Sequence, residues 1–504
     1  MARNYSEIQK QIALTGFFSE YLPPCFYLNP SVLNHTPPQK CDLIPPYSFS
    51  MSRFNGNEAR RTIFIPEIGS YIVAYMYMKE NDIIKELIEF SESQHYSFSS
   101  ILGQDDSIVR HEEVYDFPDQ SPFDINSNYI ENVGKKIILA SGAKKILKLD
   151  ISNCFLSFYM HMIPSIVLGI KQTEEEYEKS KRGETCIDQY NKYRKLDEVI
   201  RQQNLNRTNG LLPGILSSKI IAEAMLTRLD MELKEAGFNF VRYVDDYEVF
   251  LYGDDDEKKT ISKFAKILKQ YGFSLNYEKT EVVEFPYYIV DVFNKILGEK
   301  IKETMNTADL IDVFNCFLEM EKKGTKGAVR FLVKSLEQKS EEVRIENTDL
   351  YKSYLISIMA NNERSLTKAC SILINDKEEY TLSTVDVNNI LRLLNRHIIY
   401  EHDLEVIWLL YLLIKTDNLE SGSPIIDSII GTQNELAYLV LLHNNLLDDQ
   451  QKDTIKKKAH SWILLYEMYS NDMLSETEFF EKLSIHKNGD MYRKFKTNGI
   501  HFIV

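Results

Sequence analysis

The spacing of hydrophobic positions changes along the chain. Up to about residue 290, short segments in which apolar and polar residues alternate are interleaved with segments of helical spacing. "KKILKLDI" (144–151) alternates as a half-buried strand does, whereas "KIIAEAMLTRLDMELKEAG" (219–237) and "KKTISKFAKILKQYG" (258–272) repeat apolar residues at helical intervals. "FNFVRYVDDYEVFLYG" (238–253) predicts two strands joined by a tight turn. Strands interleaved with helices in this order predict an α+β domain.

Beyond about residue 294 almost every segment has helical spacing. Paired helical segments recur at roughly 35 to 40 residues, a period typical of helical-repeat proteins. We therefore predict an all-α helical-repeat domain of HEAT-like kind, although an irregular helical bundle would give the same pattern. The predicted organisation is an N-terminal region (1–135), an α+β domain (136–293) with a charged helical insertion (173–204), and the α-helical repeat domain (294–504).

Composition and charge restrict the surfaces that the protein can offer. The 504 residues are 44% hydrophobic and 26% charged, which is ordinary for a globular protein of several domains. The formal net charge is −15 at pH 7, whereas proteins that grip nucleic acid broadly carry a surplus of lysine and arginine. Any contact with nucleic acid is therefore expected to be local.

The hydrophobic segments also bear on where the protein resides. The longest apolar run, residues 406–414, has nine residues. A membrane-spanning helix needs roughly 18 to 20, so we expect no membrane span. The N-terminal stretch lacks the uninterrupted apolar region of a signal peptide, and the six cysteines form no C-x-x-C pair. Scattered cysteines fit free thiols in a reducing compartment, and we expect a cytosolic protein.

Two adjacent carboxylates, Asp245 and Asp246, lie at the centre of the predicted hairpin. Like charges a few Å apart destabilise each other, so the pair belongs either to a solvated turn or to a cation site. A third acid, Asp150, ends the strand predicted at 144–151. If the sheet brings the three together, divalent cations would relieve their repulsion, and hard oxygen ligands suit Mg²⁺, with Mn²⁺ as a substitute. Two such ions catalyse nucleotidyl transfer by activating the attacking oxygen and stabilising the leaving one.

Four segments, in the same order and spacing, resemble motifs of the reverse transcriptases across most of residues 40–285. "LKLDISNCF" is similar to their first metal motif, "NGLLPGILSSKIIAE" to their Gly-rich substrate motif, "RYVDDYEVFL" to their Tyr-x-Asp-Asp hairpin, and "LNYEKTEV" to the lysine motif that follows. Each motif alone is weak, and together they are specific. The resemblance implies an α+β fingers and palm fold over residues 1–135 and 136–293, followed by the all-α helical-repeat domain.

The resemblance also implies roles around the acids. Asp150 and Asp245 would be the principal metal ligands, Asp246 a supporting acid, and the Ile151 carbonyl would complete the coordination of the two ions. Phe155 matches the aromatic residue that excludes a ribose 2′-hydroxyl, which makes deoxynucleoside triphosphates the implied substrates. Outside the motif, the same phenylalanine would be an ordinary core residue.

Further residues match parts of the family that bind the incoming nucleotide. Gly214 and Ser218 lie in the segment that approaches it, although the usual Pro-x-Gly-Pro core here is Leu-Pro-Gly-Ile. Lys279 would donate a proton to the departing pyrophosphate. Arg60 and Arg61, which begin the predicted strand "RRTIFIPEI", resemble the residues that hold the triphosphate through the planar donor fork of arginine. Considered singly, these residues would be a turn glycine, a helix serine, a solvated lysine and surface arginines.

The acidic balance and the helical C-terminal region resemble the bacterial abortive-infection (Abi) reverse transcriptases, a group with a prophage-encoded member. That resemblance implies template-independent DNA synthesis primed by a tyrosine hydroxyl, a single-stranded DNA product attached to the protein, homo-oligomers, a phage-encoded trigger and a place in the bacterial cytoplasm. Tyr5, near the N-terminus, is a candidate primer because chain termini are often mobile. The alternatives are an RNA-templated reverse transcriptase of retron-like type and a degenerate polymerase fold used as a binding scaffold. The presence of all three acids disfavours the scaffold.

Overall fold

The computed structural model of the protein describes residues 3–35, 41–52, 60–94, 96–103, 106–109, 129–253, 255–288, 293–340 and 342–504. Residues 110–128 of the predicted N-terminal region lie outside the described residues. The first part of the chain folds into a helix, a hairpin and two more helices: α1 (Tyr5–Thr15), β1 (Tyr47–Met51), β2 (Arg61–Ile65), α2 (Ile68–Glu80) and α3 (Ile83–Glu92). Strands β1 and β2 pair with each other in antiparallel fashion.

The middle of the chain is the predicted α+β region. It contains α4 (Tyr129–Leu139), β3 (Lys145–Asp150), α5 (Cys154–Ser157), α6 (Ser165–Lys181), α7 (Asp188–Gln202), α8 (Leu216–Glu235), β4 (Phe240–Tyr243), β5 (Asp246–Leu251), α9 (Glu257–Gln270) and β6 (Glu281–Glu284). The four strands form one antiparallel sheet in the order β4-β5-β3-β6. The strand predicted at 144–151 and the hairpin predicted at 238–253 are confirmed, and the segment 173–204 is helical as expected.

The central position of β3 follows from its sequence. Four of its six residues are buried, and apolar side chains such as Ile146 and Leu147 reach both faces of the sheet. A strand covered on both faces needs apolar residues on both, as β3 has. Helix α8 is buried along most of its length and supplies the layer behind the sheet. Strand β3 pairs with β5 along its length, so its last residue lies at the same end of the strands as the turn between β4 and β5.

The remaining described residues are almost entirely helical. They form α10 (Phe293–Lys300), β7 (Thr304–Met305), α11 (Thr307–Lys322), α12 (Ala328–Gln338), β8 (Arg344–Ile345), α13 (Thr348–Asn361), α14 (Glu363–Asn375), α15 (Thr384–Ile399), α16 (Asp403–Lys415), α17 (Pro424–Ile430), α18 (Glu435–His443), α19 (Asp449–Lys458), α20 (Trp462–Ser470), α21 (Glu476–Leu483) and α22 (Gly489–Thr497). Helices α11, α15, α19 and α21 begin with capping boxes, in which a polar N-cap residue and the third helical residue satisfy each other's backbone N–H groups.

These helices pack in two layers. One layer contains α12, α14, α16, α18 and α20 in succession, and the other contains α11, α13, α15, α17 and α19. Helices of the two layers also pack in pairs, α11 against α12, α13 against α14, α15 against α16 and α17 against α18. No helix among the described residues is long and apolar enough to cross a membrane.

The β1–β2 hairpin packs on the helical layers and shares their core. Asp403, at the start of α16, accepts a hydrogen bond from the backbone N–H of Ser50 at 2.7 Å. The hydroxyl of Tyr47 accepts one from the N–H of Glu435 at 3.1 Å. The α+β region has a separate core, built from α1, α3, α8, α9 and its own strands. The hairpin therefore lies between the α+β region and the C-terminal helices.

Candidate active site

The register of the sheet brings two of the predicted acids together. Asp150, the last residue of β3, lies directly opposite Asp246, the first residue of β5. Residues opposite each other in an antiparallel pair have Cβ atoms about 4.5 to 5.5 Å apart. Asp245 lies in the adjoining turn, and its carbonyl oxygen accepts a hydrogen bond from the Ile151 N–H at 3.3 Å. Asp150, Ile151, Asp245 and Asp246 are thus gathered at one edge of the sheet, as the sequence predicts.

The turn that carries Asp245 has an unusual backbone. Tyr243 pairs with Asp246, so only Val244 and Asp245 connect β4 to β5, and Val244 has φ of 55°. A β-branched residue rarely adopts this left-handed conformation, which costs on the order of 1 to 3 kcal/mol unless its surroundings impose it. The guanidinium of Arg242 binds the Val244 carbonyl oxygen at 2.8 Å and holds the turn.

Arg242 belongs to a buried ionic cluster behind the acids. Its side chain has no exposed surface and contacts the carboxylates of Glu223 and Asp230, both on α8, at distances between 2.7 and 3.0 Å. The Tyr247 hydroxyl donates a further bond to Asp230 at 2.9 Å. A buried guanidinium needs such complete pairing because its desolvation is costly. The cluster therefore positions the acid-bearing turn against α8. Its only sequence signal is a set of charged residues within otherwise apolar segments, and the motifs did not indicate it.

Both carboxylate oxygens of Asp150 have partners. The Lys279 ammonium lies 2.8 Å from Oδ1, and the Asn276 amide donates to Oδ2 at 3.0 Å. The backbone N–H of Asn276 also donates to the Asp150 carbonyl oxygen at 2.8 Å. The structure thus brings the predicted Lys279 to the acids, and it adds Asn276, which was not among the predicted site residues.

Burial and neighbouring charges raise the pKa values of Asp245 and Asp246. Partial burial and the charges of Asp245 and Asp150 raise the pKa of Asp246 to about 7, although part of its side chain faces solvent. Burial raises the pKa of Asp245, and the charge of Asp150 raises it further. The nearby charges of Lys279 and Arg61 act in the opposite direction. Full ionisation of the three acids would leave a surplus of negative charge beyond what Lys279 neutralises. An oxygen-only donor set with this surplus fits a hard divalent cation such as Mg²⁺ or Mn²⁺.

The two arginines that begin the β2 segment face different surroundings. Arg60 forms ion pairs with Glu405, on α16, and with Glu363, on α14, the latter at 3.4 Å. Its Nε donates to the Ser50 hydroxyl at 3.3 Å. Arg61 is exposed and lies near enough to lower the pKa of Asp245. The structure therefore brings Arg61 to the acids and places Arg60 against the C-terminal helices.

The remaining nucleotide-site candidates lie at the junction with the hairpin. Gly214 has φ of 103°, and a Cβ there would lie 2.5 Å from Cγ2 of Ile63, on β2. The carbonyl oxygen of the preceding Pro213 accepts a bond from the Phe64 N–H at 2.9 Å. Gly214 thus permits β2 to approach closely. Ser218 lies in the first turn of α8 and is 3% exposed.

Phe155 is half-buried and packs against the core of the α+β region. Its carbonyl oxygen accepts a hydrogen bond from the Leu211 N–H at 2.8 Å, which joins the start of α5 to the glycine-containing segment before α8. Its position therefore links the segment after Asp150 with the segment that carries Gly214.

Tyr5 lies against α3. It begins α1 and packs on the core of the α+β region, with the Lys85 ammonium 5.6 Å from its ring centre. Burial raises the pKa of its hydroxyl, and Arg3 and the α3 residues Glu89 and Glu92 surround it. Two exposed tyrosines neighbour residues of the site in the chain: Tyr243 precedes the turn that carries Asp245, and Tyr277 follows Asn276, whose amide contacts Asp150.

A family model matches the middle of the chain. Residues 107–332 match the family model described as "Reverse transcriptase (RNA-dependent DNA polymerase)". No curated protein matches the chain. The matched region contains the three acids and Lys279, and it confirms the predicted resemblance to reverse transcriptases. The narrower resemblance to the abortive-infection group stays a prediction.

Three solved structures of telomerases are similar to the chain. The telomerase of Candida albicans with the TWJ fragment of telomeric RNA is 14% identical, with a TM-score of 0.30, over 80% of this chain and 65% of that chain. The telomerase of Candida tropicalis with the TWJ fragment is 12% identical, with a TM-score of 0.33, over 80% of this chain and 65% of that chain. The apo telomerase of Candida tropicalis is 12% identical, with a TM-score of 0.34, over 81% of this chain and 70% of that chain. The chain spans about 65% of the length of the first two telomerase chains. On the family match, the chain contains a reverse transcriptase domain that spans residues 107–332.

Proposed function

We propose that the protein is a DNA polymerase of the reverse transcriptase family that works without a template, primes synthesis on a tyrosine hydroxyl and acts in abortive-infection defence against phage. The observation that carries the polymerase activity is the register that sets Asp150 opposite Asp246, next to Asp245. Asp150, Asp245, Asp246 and the Ile151 carbonyl would hold two Mg²⁺ ions, with Mn²⁺ as a substitute. When bound, these ions would supply the charge that activates the attacking oxygen and stabilises the leaving pyrophosphate.

The chain's own residues would orient the nucleotide around the acids. Arg61 would hold the triphosphate, because it is exposed and its charge reaches Asp245. Phe155 would exclude ribonucleotides by occupying the space of a 2′-hydroxyl. Lys279 would move from its ion pair with Asp150 to the departing pyrophosphate and donate a proton to it there. Asn276 would keep Asp150 oriented during that exchange.

Independence from a template is supported by the charges of the palm sheet. A template–primer duplex is gripped through unpaired lysines and arginines, whose binding releases counterions from the phosphates. Here Lys145 lies 2.8 Å from Glu257 and 3.1 Å from Glu284, and Lys148 lies 3.3 Å from Glu281. Glutamates thus neutralise these lysines of β3, and the whole chain has a formal charge of −15. A single growing strand held near the acids requires less basic surface than a duplex.

A tyrosine primer fits the same chemistry, because its hydroxyl can replace the sugar 3′-hydroxyl as the nucleophile. Tyr5 remains a candidate if α1 detaches from α3. The C-terminal layers would act as a HEAT-like scaffold for a homo-oligomer, within the bacterial cytoplasm, and would receive a phage-encoded trigger. The second candidate function is RNA-templated DNA synthesis of retron-like type, which the description of the matching family favours. The third reading, a binding scaffold, lacks support because all three acids are retained.

One experiment separates these functions. The purified protein is incubated with Mg²⁺ and labelled deoxynucleoside triphosphates without nucleic acid, and the products are run on a denaturing gel before and after protease treatment. Label that migrates with the protein until protease is added supports protein priming. Synthesis that requires an RNA template and a free primer would support the retron-like alternative. Asp245→Asn should abolish incorporation, while the matched control Asp449→Asn, on the exposed helix α19, should retain it. Absence of incorporation under every condition would contradict both enzyme functions.

A further inference from the structure

A cluster of metal-binding side chains lies within the helical layers, apart from the acids of the sheet. Glu363 is the first residue of α14, His397 lies in the last turn of α15, and His402 precedes α16. Each offers one ligand atom, and these three atoms lie within 4.8 Å of one another. The three side chains are therefore close enough to share one ion.

The backbone between the two histidines brings their rings together. The His402 N–H donates to the His397 carbonyl oxygen at 2.9 Å, and Glu401 adopts φ of 53° within the connecting turn. The turn reverses the chain so that the two Nδ1 atoms lie 2.9 Å apart. Oε1 of Glu363 lies 3.5 Å from Nδ1 of His402. Ligand atoms about 2.0 to 2.2 Å from a tetrahedral Zn²⁺ are about 3.3 to 3.5 Å from each other, so small side-chain shifts would suffice for coordination.

The hydrogen bonding of His397 is incomplete without another partner. Its ring is 1% exposed, its Nδ1 meets only another imidazole nitrogen, and its Nε2 is buried without a hydrogen-bond partner. Buried polar atoms are nearly always paired, so the unpartnered Nε2 shows that the described residues leave a nitrogen of His397 open to a further partner. His402 and Glu363 are partly exposed, with 19% and 34% of their side-chain surfaces accessible. Solvent can therefore reach one side of the cluster and supply a fourth ligand.

The charges around the cluster allow a cation. Arg60 faces Glu363 through Oε2, the oxygen not turned toward His402, and it also pairs with the buried Glu405. Arg396 also lies near the histidines. Glu363 and Glu405 offset part of the charge of the two guanidinium groups, which reduces the repulsion that a divalent ion would meet at the imidazoles.

We propose that Glu363, His397 and His402 form a binding site for a divalent metal ion. The nitrogen and oxygen ligands that they offer favour Zn²⁺. Two imidazoles and one carboxylate with an open fourth position suit Zn²⁺, whereas Mg²⁺ requires oxygen ligands in an octahedral shell. The ion would fasten the beginning of α14 to the turn between α15 and α16. Because Arg60 binds Glu363 and adjoins Arg61, the same ion would stabilise the base of the β2 strand that approaches the acids.

The test is metal binding by the full-length protein, so it does not depend on polymerase activity. The protein is stripped with a chelator, titrated with Co²⁺ and then with Zn²⁺, and bound metal is counted by elemental analysis. We expect about one tightly bound Zn²⁺ per chain, and visible Co²⁺ absorption of the intensity that tetrahedral nitrogen and oxygen ligation gives. His402→Gln and Glu363→Gln should each weaken binding at least about tenfold, since one of three protein ligands is removed. The control His443→Gln, at an exposed position on α18, should leave both signals unchanged.

A second pair of variants separates this site from the acids of the sheet. Asp245→Asn with Asp246→Asn should retain the tetrahedral Co²⁺ spectrum. A His397→Gln variant replaces a buried residue and is not needed for the test. Variants of His402 and Glu363, which are partly exposed, are sufficient if His397→Gln does not fold. Absence of stoichiometric Zn²⁺, equal binding by the His402→Gln and Glu363→Gln variants and the unmodified protein, or loss of binding only in the aspartate variants would each overturn the proposal.

Discussion

The ammonium of Lys279 lies 2.8 Å from Oδ1 of Asp150 and occupies the side of the acids where a cation is expected. Lys279 is half exposed and belongs to a short helical turn, Tyr277–Lys279, so it can leave Asp150 without unfolding a larger element. In the metal-free protein, it is therefore a counter-ion for the carboxylates. The same residue becomes available to a substrate when another cation takes that position.

Replacement of Lys279 by methionine should shift the pH dependence of nucleotide incorporation. The Lys279 charge lowers the pKa values of Asp245 and Asp246, so its loss raises them further and moves the acidic limb of the rate profile to higher pH. The rate at the optimum should also fall about 10²- to 10⁴-fold if Lys279 is the proton donor. Lys279→Arg, which keeps the charge, should retain the position of the acidic limb. An unchanged profile in Lys279→Met would show that Lys279 does not interact with the acids in solution.

The stability of the metal-free protein should fall as pH rises toward 7. Asp246 has a pKa of about 7 in the folded protein and about 3.8 when unfolded, so between these values the folded state binds more protons. The slope of unfolding free energy with pH is then negative. Because Asp246 is partly exposed, we expect on the order of 1 kcal/mol to be lost over this window.

Urea unfolding in a chelator at pH 5 and pH 7.5 measures this effect. Asp246→Asn should remove that part of the loss, whereas Asp449→Asn should not. Mg²⁺ should restore the stability of the unmodified protein at pH 7.5. If Asp246→Asn leaves the pH dependence of the unfolding free energy unchanged, the pKa of Asp246 is not raised in the folded protein.

The parts of this structure that were predictable from the sequence depend on local patterns. Alternation of apolar residues located β3 and the β4–β5 hairpin, and an acid at the end of each strand implied that Asp150 would meet Asp245 and Asp246. The contacts that were missed join residues far apart in the chain. Arg60 with Glu405 and Arg242 with α8 are ion pairs that no local pattern encodes, because a charged residue in a helix is usually solvent exposed.

The same limit applies to the helical layers. Helical spacing predicted that almost every segment beyond about residue 294 is helical, but the spacing does not indicate which helix ends meet. Glu363, His397 and His402 come from three different helices or their caps, and only the packing of α14 against α16 and of α15 against α16 brings them together. The sequence does contain an H-x4-H pair, His397 and His402, which is a spacing that zinc ligands use, but no local pattern links this pair to Glu363.

The close approach at Gly214 should make alanine destabilising there. An alanine at this position would have to adopt a backbone with positive φ, which L residues rarely do. Its Cβ would lie 2.5 Å from Cγ2 of Ile63. Gly183→Ala is a matched control, since Gly183 has φ of 72° but a Cβ added there would meet nothing within 4 Å. We expect Gly183→Ala to cost about 1 kcal/mol from the backbone alone and Gly214→Ala to cost about 1 to 3 kcal/mol more. Urea unfolding measures both, and Ile63→Ala should recover part of the excess if the clash causes it.

Replacement of Phe155 by valine should relax the choice of sugar. A smaller side chain would leave room for a 2′-hydroxyl, so the ratio of kcat/KM for deoxynucleotides over ribonucleotides should fall by about 10- to 100-fold. Leu156→Val is the control, because the neighbouring Leu156 is exposed and should not alter the ratio. Circular dichroism must show the same fold for both variants, since Phe155 also packs on the core. Equal selectivity in the Phe155→Val variant and the unmodified protein would remove Phe155 as the discriminating residue.

The adjacent arginines Arg60 and Arg61 should have separable effects. Arg60→Gln leaves the buried carboxylate of Glu405 without its cation, and the pKa of Glu405, already raised to about 7 by burial, should rise further. We expect a loss of about 2 kcal/mol in unfolding free energy, below the roughly 3 to 5 kcal/mol of a fully buried pair because Arg60 is partly exposed. Glu405→Gln, added to Arg60→Gln, should recover part of that loss.

Arg61→Gln should leave stability unchanged and raise the KM for deoxynucleoside triphosphates, since its exposed side chain lies near the acids. Loss of one charge-assisted contact to a phosphate is expected to raise KM by about tenfold or more. Steady-state kinetics and urea unfolding on the same two preparations give both quantities for each variant. If Arg60→Gln raises KM at unchanged stability while Arg61→Gln does not, then the division of roles between the arginines is the reverse of the one that the ion pairs indicate.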